Sequence, residues 1–172
     1  MRAIVYHEYG SPYVLRYQEI EAPTAANGEV LIKVCAASVN PYDWHFMRGT
    51  PYGVRIVAGL RKPKVTRLGA DVAGQVEAVG RNVTQFKPGD HVFGTCKGAF
   101  AQYACAPESA LAIKPDNVTF EQAACVPIAA LTALQGLRDK GKVQPGQKVL
   151  INGRREEWAR SPCRSPSHSA QT

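Results

Sequence analysis

The chain has 172 residues, of which 45% are hydrophobic and 20% charged, and a formal net charge of +7. This length and apolar content suit one globular domain, or one domain and part of another. The Lys and Arg residues form no cluster interleaved with aromatic side chains, which argues against nucleic-acid binding. No apolar run approaches the roughly 20 residues that cross a bilayer, which argues against a membrane protein. The five cysteines follow no regular spacing, so we expect reduced thiols in a cytoplasmic protein.

The N-terminal part of the chain predicts three strands. Residues 2–6 and 13–20 are expected to form the first two, joined by a turn at the Gly-Ser-Pro sequence of residues 10–12. Residues 29–39 give the strongest strand signal of this half, because apolar side chains recur at every second position.

A short helix is predicted over residues 40–49. Pro41 suits its first position, where a missing N–H costs nothing, and Gly49 suits the position just after its end. Residues 52–67 have the least clear periodicity, with five Lys or Arg residues and one Pro, and predict a loop.

Glycines punctuate the segment from Leu68 to Gly94, which predicts two closely returning strands over residues 72–79 and 91–93. Gly80 ends the first strand, and the Lys-Pro-Gly-Asp sequence of residues 87–90 is typical of a tight turn. Two more strands are predicted at residues 100–106 and 109–114. Short strands with a glycine at each corner favour a small, strongly bent β-barrel.

The following residues predict helices and one more strand. Thr119 with Gln122 three positions later is typical of a capped helix start. An alanine-rich helical pattern covers residues 123–138, and Pro127 inside it predicts a break between two helices. Residues 148–152 are almost wholly apolar, as expected of a parallel strand buried on both faces.

Several motifs resemble one family, the medium-chain dehydrogenases/reductases, in their zinc-independent quinone oxidoreductase-like branch, which includes zeta-crystallin. The matching sequences are GADVAG at 69–74, VG at 79–80, FKPGDHV at 86–92 and GAFAQY at 98–103. The resemblance implies a mostly β, GroES-like catalytic domain over residues 1–115. Residues 116–153 would then be the start of a truncated Rossmann domain, and residues 154–172 a disordered tail.

The resemblance also bears on metal binding. Asn40 and Ala70-Asp71 stand where zinc-dependent members of the family place a cysteine and a Gly-His-Glu sequence. Asn and Ala cannot supply two of the three protein ligands that a catalytic zinc needs. We therefore expect no zinc.

The same resemblance implies NADPH as cofactor and a quinone or enone as small-molecule substrate, and it is compatible with a homodimer. Asn40 would contact the nicotinamide or substrate, or would simply cap its helix. Asp43 would brace the local turn beside the cofactor. Tyr52, or equally Tyr42, would line the substrate cleft. Thr132 would approach the nicotinamide, or would be an ordinary helix threonine.

The pyrophosphate of a dinucleotide sits on a glycine-rich turn directly after the first Rossmann strand. Gly153 stands there but is followed by Arg154-Arg155 and then by two glutamates, so we expect the chain to be an inactive fragment. Residues 154–172 contain no Gly, Val, Ile, Leu or Phe. They are expected to be either a basic Ser/Pro/Arg partner-binding tail of a non-enzymatic barrel module, or the product of a frameshift after Gly153. Read one base back, their codons permit a glycine-rich turn and an amphipathic helix.

Overall fold

The computed structural model describes residues 1–150. The strands are β1 (Arg2–Val5), β2 (Arg16–Glu19), β3 (Glu29–Ala36), β4 (Asp71–Val79), β5 (His91–Thr95), β6 (Tyr103–Pro107) and β7 (Leu111–Ile113). The α-helices are α1 (Pro41–Arg48), α2 (Gly53–Ala58), α3 (Phe120–Ala124) and α4 (Leu131–Leu134). Short 3₁₀ turns cover Pro12–Val14 and Glu108–Ala110, and π-helical turns cover Val126–Ala130 and Gln135–Lys140.

Five strands form one antiparallel sheet in the order β6-β3-β4-β5-β7. The register of β3 against β4 shifts between Leu31 and Ile32 and again between Val34 and Ala36, and such irregularities bend a strand and increase its twist. Strands β1 and β2 form a separate antiparallel pair. Isolated bridges from Ala3 to Ala101 and from Val5 to Arg67 connect β1 to the segments that flank the sheet.

The largest core cluster lies on the sheet. It contains Val30, Ile32, Val72, Val76, Phe86, Val92, Ala99 and Ala106, all buried. Glycine is required at position 74, because a Cβ there would overlap the carbonyl oxygen of Lys33 on the neighbouring strand. The sheet is packed so closely at this point that no side chain fits between the two backbones.

The structure confirms several local predictions. Helix α1 begins at Pro41 and ends at Gly49, which has the left-handed conformation with φ 60° and ψ 39°. The amide of Gln122 donates to Thr119 Oγ1 at 3.2 Å, and the amide of Thr119 donates to Gln122 Oε1 at 3.0 Å, which is the predicted reciprocal cap. Helix α3 ends before Pro127, where the predicted break falls in a π-helical turn.

Residues 52–67 were predicted as a loop, and this is wrong for Gly53–Ala58, which form α2. Contacts with distant residues explain the helix. Arg55 Nε donates to the carbonyl oxygen of Gly49 at 3.0 Å, and its guanidinium lies 4.6 Å from the centre of the Tyr9 ring. Local periodicity does not reveal these contacts, because both partners lie outside the helix.

Other strand predictions were too long. Residues 12–14 form a 3₁₀ turn instead of the start of β2, and residues 108–110 form another before β7. In both places the predicted strand includes residues that form a turn before the pairing begins. The predicted strand at 148–152 is also not formed over residues 148–150, because no described residue pairs with them. Leu150 is 94% exposed.

The chain divides into two compact units, Met1–Pro127 and the residues from Ile128 onward. The first unit contains the whole sheet together with α3, which packs on β3, β4 and β5. The described part of the second unit is helical as far as Lys140 and irregular over residues 141–150, with an exposed ion pair between Arg138 and Asp139. Within residues 1–150, no helix is both long enough and apolar enough to cross a membrane. Gly153, the rest of the predicted strand and the predicted tail at 154–172 lie outside the described residues.

Candidate functional site

The start of α1 is fixed by one carboxylate that binds two backbone amides. Asp43 Oδ2 accepts from the amide of Asn40 at 2.9 Å, and its Oδ1 accepts from the amide of Gly69 at 2.8 Å. Asp43 is only 3% exposed, and this burial raises the pKa of its carboxyl, while the two amide hydrogen bonds act in the opposite direction. Asp43 thus joins the first turn of α1 to the segment that leads into β4.

A buried polar cluster lies beside this joint. Asn40 Nδ2 donates to Ser38 Oγ and to Asp71 Oδ2, both at 3.0 Å, and Ser38 Oγ donates to Asp71 Oδ2 at 2.8 Å. All three side chains are at most 9% exposed. Both N–H groups of the Asn40 amide are therefore committed to protein partners.

Two residues of this cluster, Asn40 and Asp71, lie in the segments where the zinc-dependent members of the family were expected to place metal ligands. Among residues 1–150, no group of three or more His, Cys, Asp or Glu side chains is arranged to hold a metal ion. The donor set at the cluster is a hydroxyl, an amide and one carboxylate, which are oxygen and nitrogen groups already hydrogen-bonded to one another. This set does not suit zinc, which prefers Cys and His ligands. That the protein binds no zinc stays a prediction.

A cavity of about 230 Å³ lies within the first unit. Tyr42 and Phe46 of α1 form an aromatic wall with ring centres 4.2 Å apart, and Val57 of α2 and Leu68 add apolar surface. Three cations, Lys64, Arg67 and Lys97, line the same cavity. The cavity lining therefore combines apolar side chains with positively charged ones.

Several protonated groups also line this cavity. Burial, followed by the nearby Tyr9, Tyr42 and Asp43, raises the pKa of Tyr6 to about 12. Burial followed by the charge of Asp43 raises the pKa of Tyr42 as well. Burial and the charge of Asp71 raise the pKa of Cys96 to about 12, although Arg67 acts in the opposite direction. At neutral pH these hydroxyl and thiol groups keep their protons and can donate hydrogen bonds.

The structure brings some of the predicted site residues together. Asn40 and Asp43 are adjacent, and Tyr42 lines the cavity. Tyr52 does not line it; this side chain is 76% exposed, and the guanidinium of Arg55 lies 5.0 Å from its ring centre. Thr132 is an exposed residue of α4 in the second unit. The cofactor and substrate roles of Asn40, Asp43, Tyr52 and Thr132 stay predictions, and Gly153 lies outside the described residues.

Three residues of this region were missed by the sequence reasoning as site residues. Ser38 stands two positions before Asn40, a spacing that places alternate residues of an extended segment on one face. Asp71 is a charged residue inside an apolar run, which signals a buried and paired carboxylate. Arg67 gave no signal, because its place in the cavity depends on pairing with β1.

Comparison with known proteins gives the family. A sequence profile described as the alcohol dehydrogenase GroES-like domain matches residues 26–116, just over half of the chain. This chain belongs to the alcohol dehydrogenase GroES-like domain family. The predicted mostly β, GroES-like fold is confirmed. Both the polar cluster and most of the cavity lining fall inside the matched residues.

Relatives of this GroES-like chain are oxidoreductases. Quinone oxidoreductase of Homo sapiens is 38% identical over 157 residues, which cover 89% of this chain and 45% of the human protein. The 2-methylene-furan-3-one reductase of Solanum lycopersicum is 34% identical over 164 residues, which cover 89% of this chain and 40% of that protein. A mycobacterial protein solved in complex with NADPH matches with a TM-score of 0.74 and 36% identity, covering 85% of this chain and 43% of that one.

These matches confirm the predicted membership of the quinone oxidoreductase-like medium-chain dehydrogenases/reductases. The chain spans less than half the length of the curated relatives it matches.

Proposed function

We propose that this chain carries the acceptor-binding part of an NADPH-dependent oxidoreductase that reduces a quinone or an enone. The observation that carries the proposal is the cavity of about 230 Å³, whose lining includes the aromatic rings of Tyr42 and Phe46 and a group of cations. This volume lies below the roughly 300–1,000 Å³ of sites that enclose drug-sized ligands. It suits a small planar carbonyl compound, and it is too small for a whole dinucleotide.

The chemistry of such an acceptor matches the groups that line the cavity. Negative charge develops on the carbonyl oxygen when a quinone or enone accepts a hydride, and positioned donors or cations lower the energy of that state. Tyr42 keeps its proton at neutral pH, as a tyrosine does, and burial raises its pKa further, so its hydroxyl can donate to this oxygen. Arg67 and Lys97 add positive charge on the same cavity. A proton from water then completes the hydroquinone or the saturated ketone.

The cofactor is a family expectation, supported by the mycobacterial structure in complex with NADPH. Bound NADPH supplies a hydride, which is two electrons with one proton, and the protein supplies orientation. The residues after Gly153 begin Arg154-Arg155 and do not form the glycine-rich sequence that a pyrophosphate needs. We therefore propose that this chain binds acceptor without turning it over.

Two measurements test this proposal. Binding of tetramethyl-p-benzoquinone, whose ring carries no free position for thiol addition, is measured by equilibrium dialysis against the whole chain. Oxidation of NADPH in the presence of the same quinone is followed by the loss of NADPH absorbance. We expect saturable quinone binding and no oxidation above the protein-free rate. A chain that binds no quinone would overturn the acceptor role, and rapid NADPH oxidation would overturn the proposed inactivity.

Three further proposals accompany this function. The donor set of Ser38, Asn40 and Asp71 supports a protein without zinc, and metal analysis that finds one zinc per chain would contradict this proposal.

The proposal of a cytoplasmic location rests on irregularly spaced cysteines, and labelling of the free thiols in cells tests this location. A homodimer rests on the family resemblance alone, and the mass in solution measured by light scattering tests it.

A further inference from the structure

The charges that line the cavity all have one sign. Lys64, Arg67 and Lys97 lie in its lining, and the described lining residues include no Asp or Glu. The surrounding sequence has the same bias. Residues 44–70 contain four Arg and two Lys and no Asp or Glu. A ligand that enters this cavity therefore approaches a positive wall along a positive stretch of chain.

Arg67 is the most firmly placed of the three cations. Its backbone forms a bridge with Val5 of β1, and the adjacent Thr66 carbonyl oxygen accepts from the amide of Tyr6 at 2.9 Å. A Cβ at Gly98 would stand 2.9 Å from Arg67 Cβ and 3.2 Å from its Nε, so the absence of a side chain at Gly98 allows the arginine to lie close against this backbone. A held guanidinium loses less side-chain entropy on binding an anion than a free one.

Three carboxylates near these cations lie outside the cavity lining. Glu29 lines an adjoining cavity together with Arg67 and Lys97. Asp43 binds the amides of Asn40 and Gly69, and Asp71 accepts from Ser38 and Asn40. Both are at most 3% exposed, so their oxygens face protein donors and not a ligand. They reduce the positive potential, but they offer no acceptor to the three cations inside the cavity.

The cavity lining also has an apolar part that is partly exposed. The aromatic wall of Tyr42 and Phe46 continues to Val57, which is 75% exposed, and to Val65, which is 47% exposed. An apolar body fits against these side chains while an acidic group reaches Arg67 or Lys97. A neutral acceptor would bury the apolar body but would leave the cations without a partner.

We propose that the acceptor of this cavity is a small planar enone or quinone that carries an acidic group, with Arg67 and Lys97 as the residues that select for its negative charge. This inference rests on the proposed acceptor function and narrows it to anionic acceptors. Arg67 contributes a planar guanidinium that suits bidentate binding of a carboxylate, and Lys97 contributes a mobile point charge.

Three enones of closely similar shape test the proposal on the whole chain. They are benzylideneacetone, the same enone with a carboxylate at position 4 of its ring, and the methyl ester of that carboxylate. The ester is close to the carboxylate in size but carries no charge. Dissociation constants are measured by equilibrium dialysis at low and at high ionic strength. We expect the carboxylate to bind about tenfold more tightly than the ester at low salt, the usual scale of a charge-assisted hydrogen bond. Added salt should reduce this preference and leave ester binding unchanged.

Matched substitutions assign the preference to the cavity. Arg67→Gln and Lys97→Gln should each reduce the ratio of carboxylate to ester affinity several-fold with little change for the ester. Lys62→Gln removes a cation from the same positive segment outside the cavity lining, and Arg81→Gln removes one after β4. Both controls should keep the ratio. The far-ultraviolet circular dichroism spectrum shows whether each variant is folded. Lys97 is exposed, so the Lys97→Gln variant still tests the proposal if Arg67→Gln does not fold.

The outcomes separate the two proposals. Equal binding of carboxylate and ester would overturn the preference for an acidic acceptor and leave the acceptor function standing. A carboxylate preference that Lys62→Gln lowers as much as Lys97→Gln would overturn the assignment to these cavity residues. Failure of all three enones and of the quinone to bind would overturn the acceptor function itself.

Discussion

Two neighbouring polar regions of the first unit differ in how their charges are used. In the polar cluster of Ser38, Asn40 and Asp71, together with the adjoining Asp43, every side chain is at most 9% exposed and makes hydrogen bonds of 2.8–3.0 Å to protein partners. In the cavity, Lys64 and Lys97 are exposed and Arg67 is half-buried, and all three face open space. The polar groups of the cluster are hydrogen-bonded to one another or to the backbone, whereas the cations of the cavity can still bind a ligand.

The comparison distinguishes polar groups that stabilise the fold from polar groups that are available to bind a ligand. A buried polar group that already has its partners contributes to one defined conformation, and removing a partner leaves the other unsatisfied. An exposed cation contributes little to stability, but it retains its donors for a ligand. Substitutions in the cluster should therefore change stability most, and substitutions in the cavity should change binding most.

The largest effect is expected from Asp43→Ala. Loss of the carboxylate leaves the buried amides of Asn40 and Gly69 without acceptors, and each unsatisfied group costs about 1–3 kcal/mol. Urea denaturation should show a loss of roughly 2–6 kcal/mol in the free energy of unfolding. Asp116→Ala, which removes an exposed carboxylate, is the matched control and should stay close to the unsubstituted chain. An equal loss in both variants would contradict the special role of Asp43.

A smaller loss is expected from Asp71→Asn, which keeps the shape of the side chain. One amide oxygen then replaces the charged acceptor of Ser38 and Asn40, and the charge-assisted part of these bonds, roughly 1–2 kcal/mol, is lost. The same substitution should lower the pKa of Cys96, since the charge of Asp71 helps to raise it to about 12. Alkylation of Cys96 followed by mass spectrometry over a range of pH measures this change, with exposed Cys35 as the internal control. An unchanged pH dependence at Cys96 would contradict the proximity of the two groups.

Asp43 should also give stability a pH dependence of known sign. Burial raises its pKa in the folded protein above the ordinary value of 3.8. The folded state therefore holds this proton more tightly than the unfolded state, and the resulting stabilisation is present below pH 3.8 and lost as pH rises through the folded pKa. The free energy of unfolding is measured against pH for the unsubstituted chain and for Asp43→Asn. The first value minus the second should fall as pH rises from 3.8 through the folded pKa. A difference that rises with pH would mean that the amide hydrogen bonds outweigh burial.

The smallest effect is expected at the aromatic wall. Tyr42→Ala removes a ring that packs on Phe46 and lines the cavity, and it should weaken binding of a planar quinone about 2- to 10-fold. Tyr52→Ala removes a more exposed ring outside the lining and should leave binding unchanged. Equilibrium dialysis compares the two variants. A stronger effect at Tyr52 would favour it over Tyr42, the other cleft residue that the sequence suggested.

The sequence predicted the parts of this unit whose causes are local. Pro41, Gly49 and the Thr119–Gln122 pair determine helix ends through their own backbone preferences, and their positions can be read directly. Helix α2 was missed because Arg55 is held by Gly49 and Tyr9, which lie 6 and 46 residues away in sequence. The cavity was missed for the same reason, since Arg67 and Lys97 meet only through the pairing of β1 and the approach of Gly98.

The hydrogen bonds of Asp43 also bear on how such a scaffold can change during evolution. Both carboxylate oxygens bind backbone amides, and every residue except proline carries a backbone N–H. Exchanges at positions 38, 40 and 71 cost the hydrogen bonds among those side chains, but they leave in place the two bonds of Asp43 that join α1 to the segment before β4. Substitutions at these three positions, including substitutions to metal ligands or proton donors, therefore keep the backbone arrangement of this region. The Asp43 carboxylate has a structural role here, and by maintaining the backbone it allows the side chains at neighbouring positions to change in function.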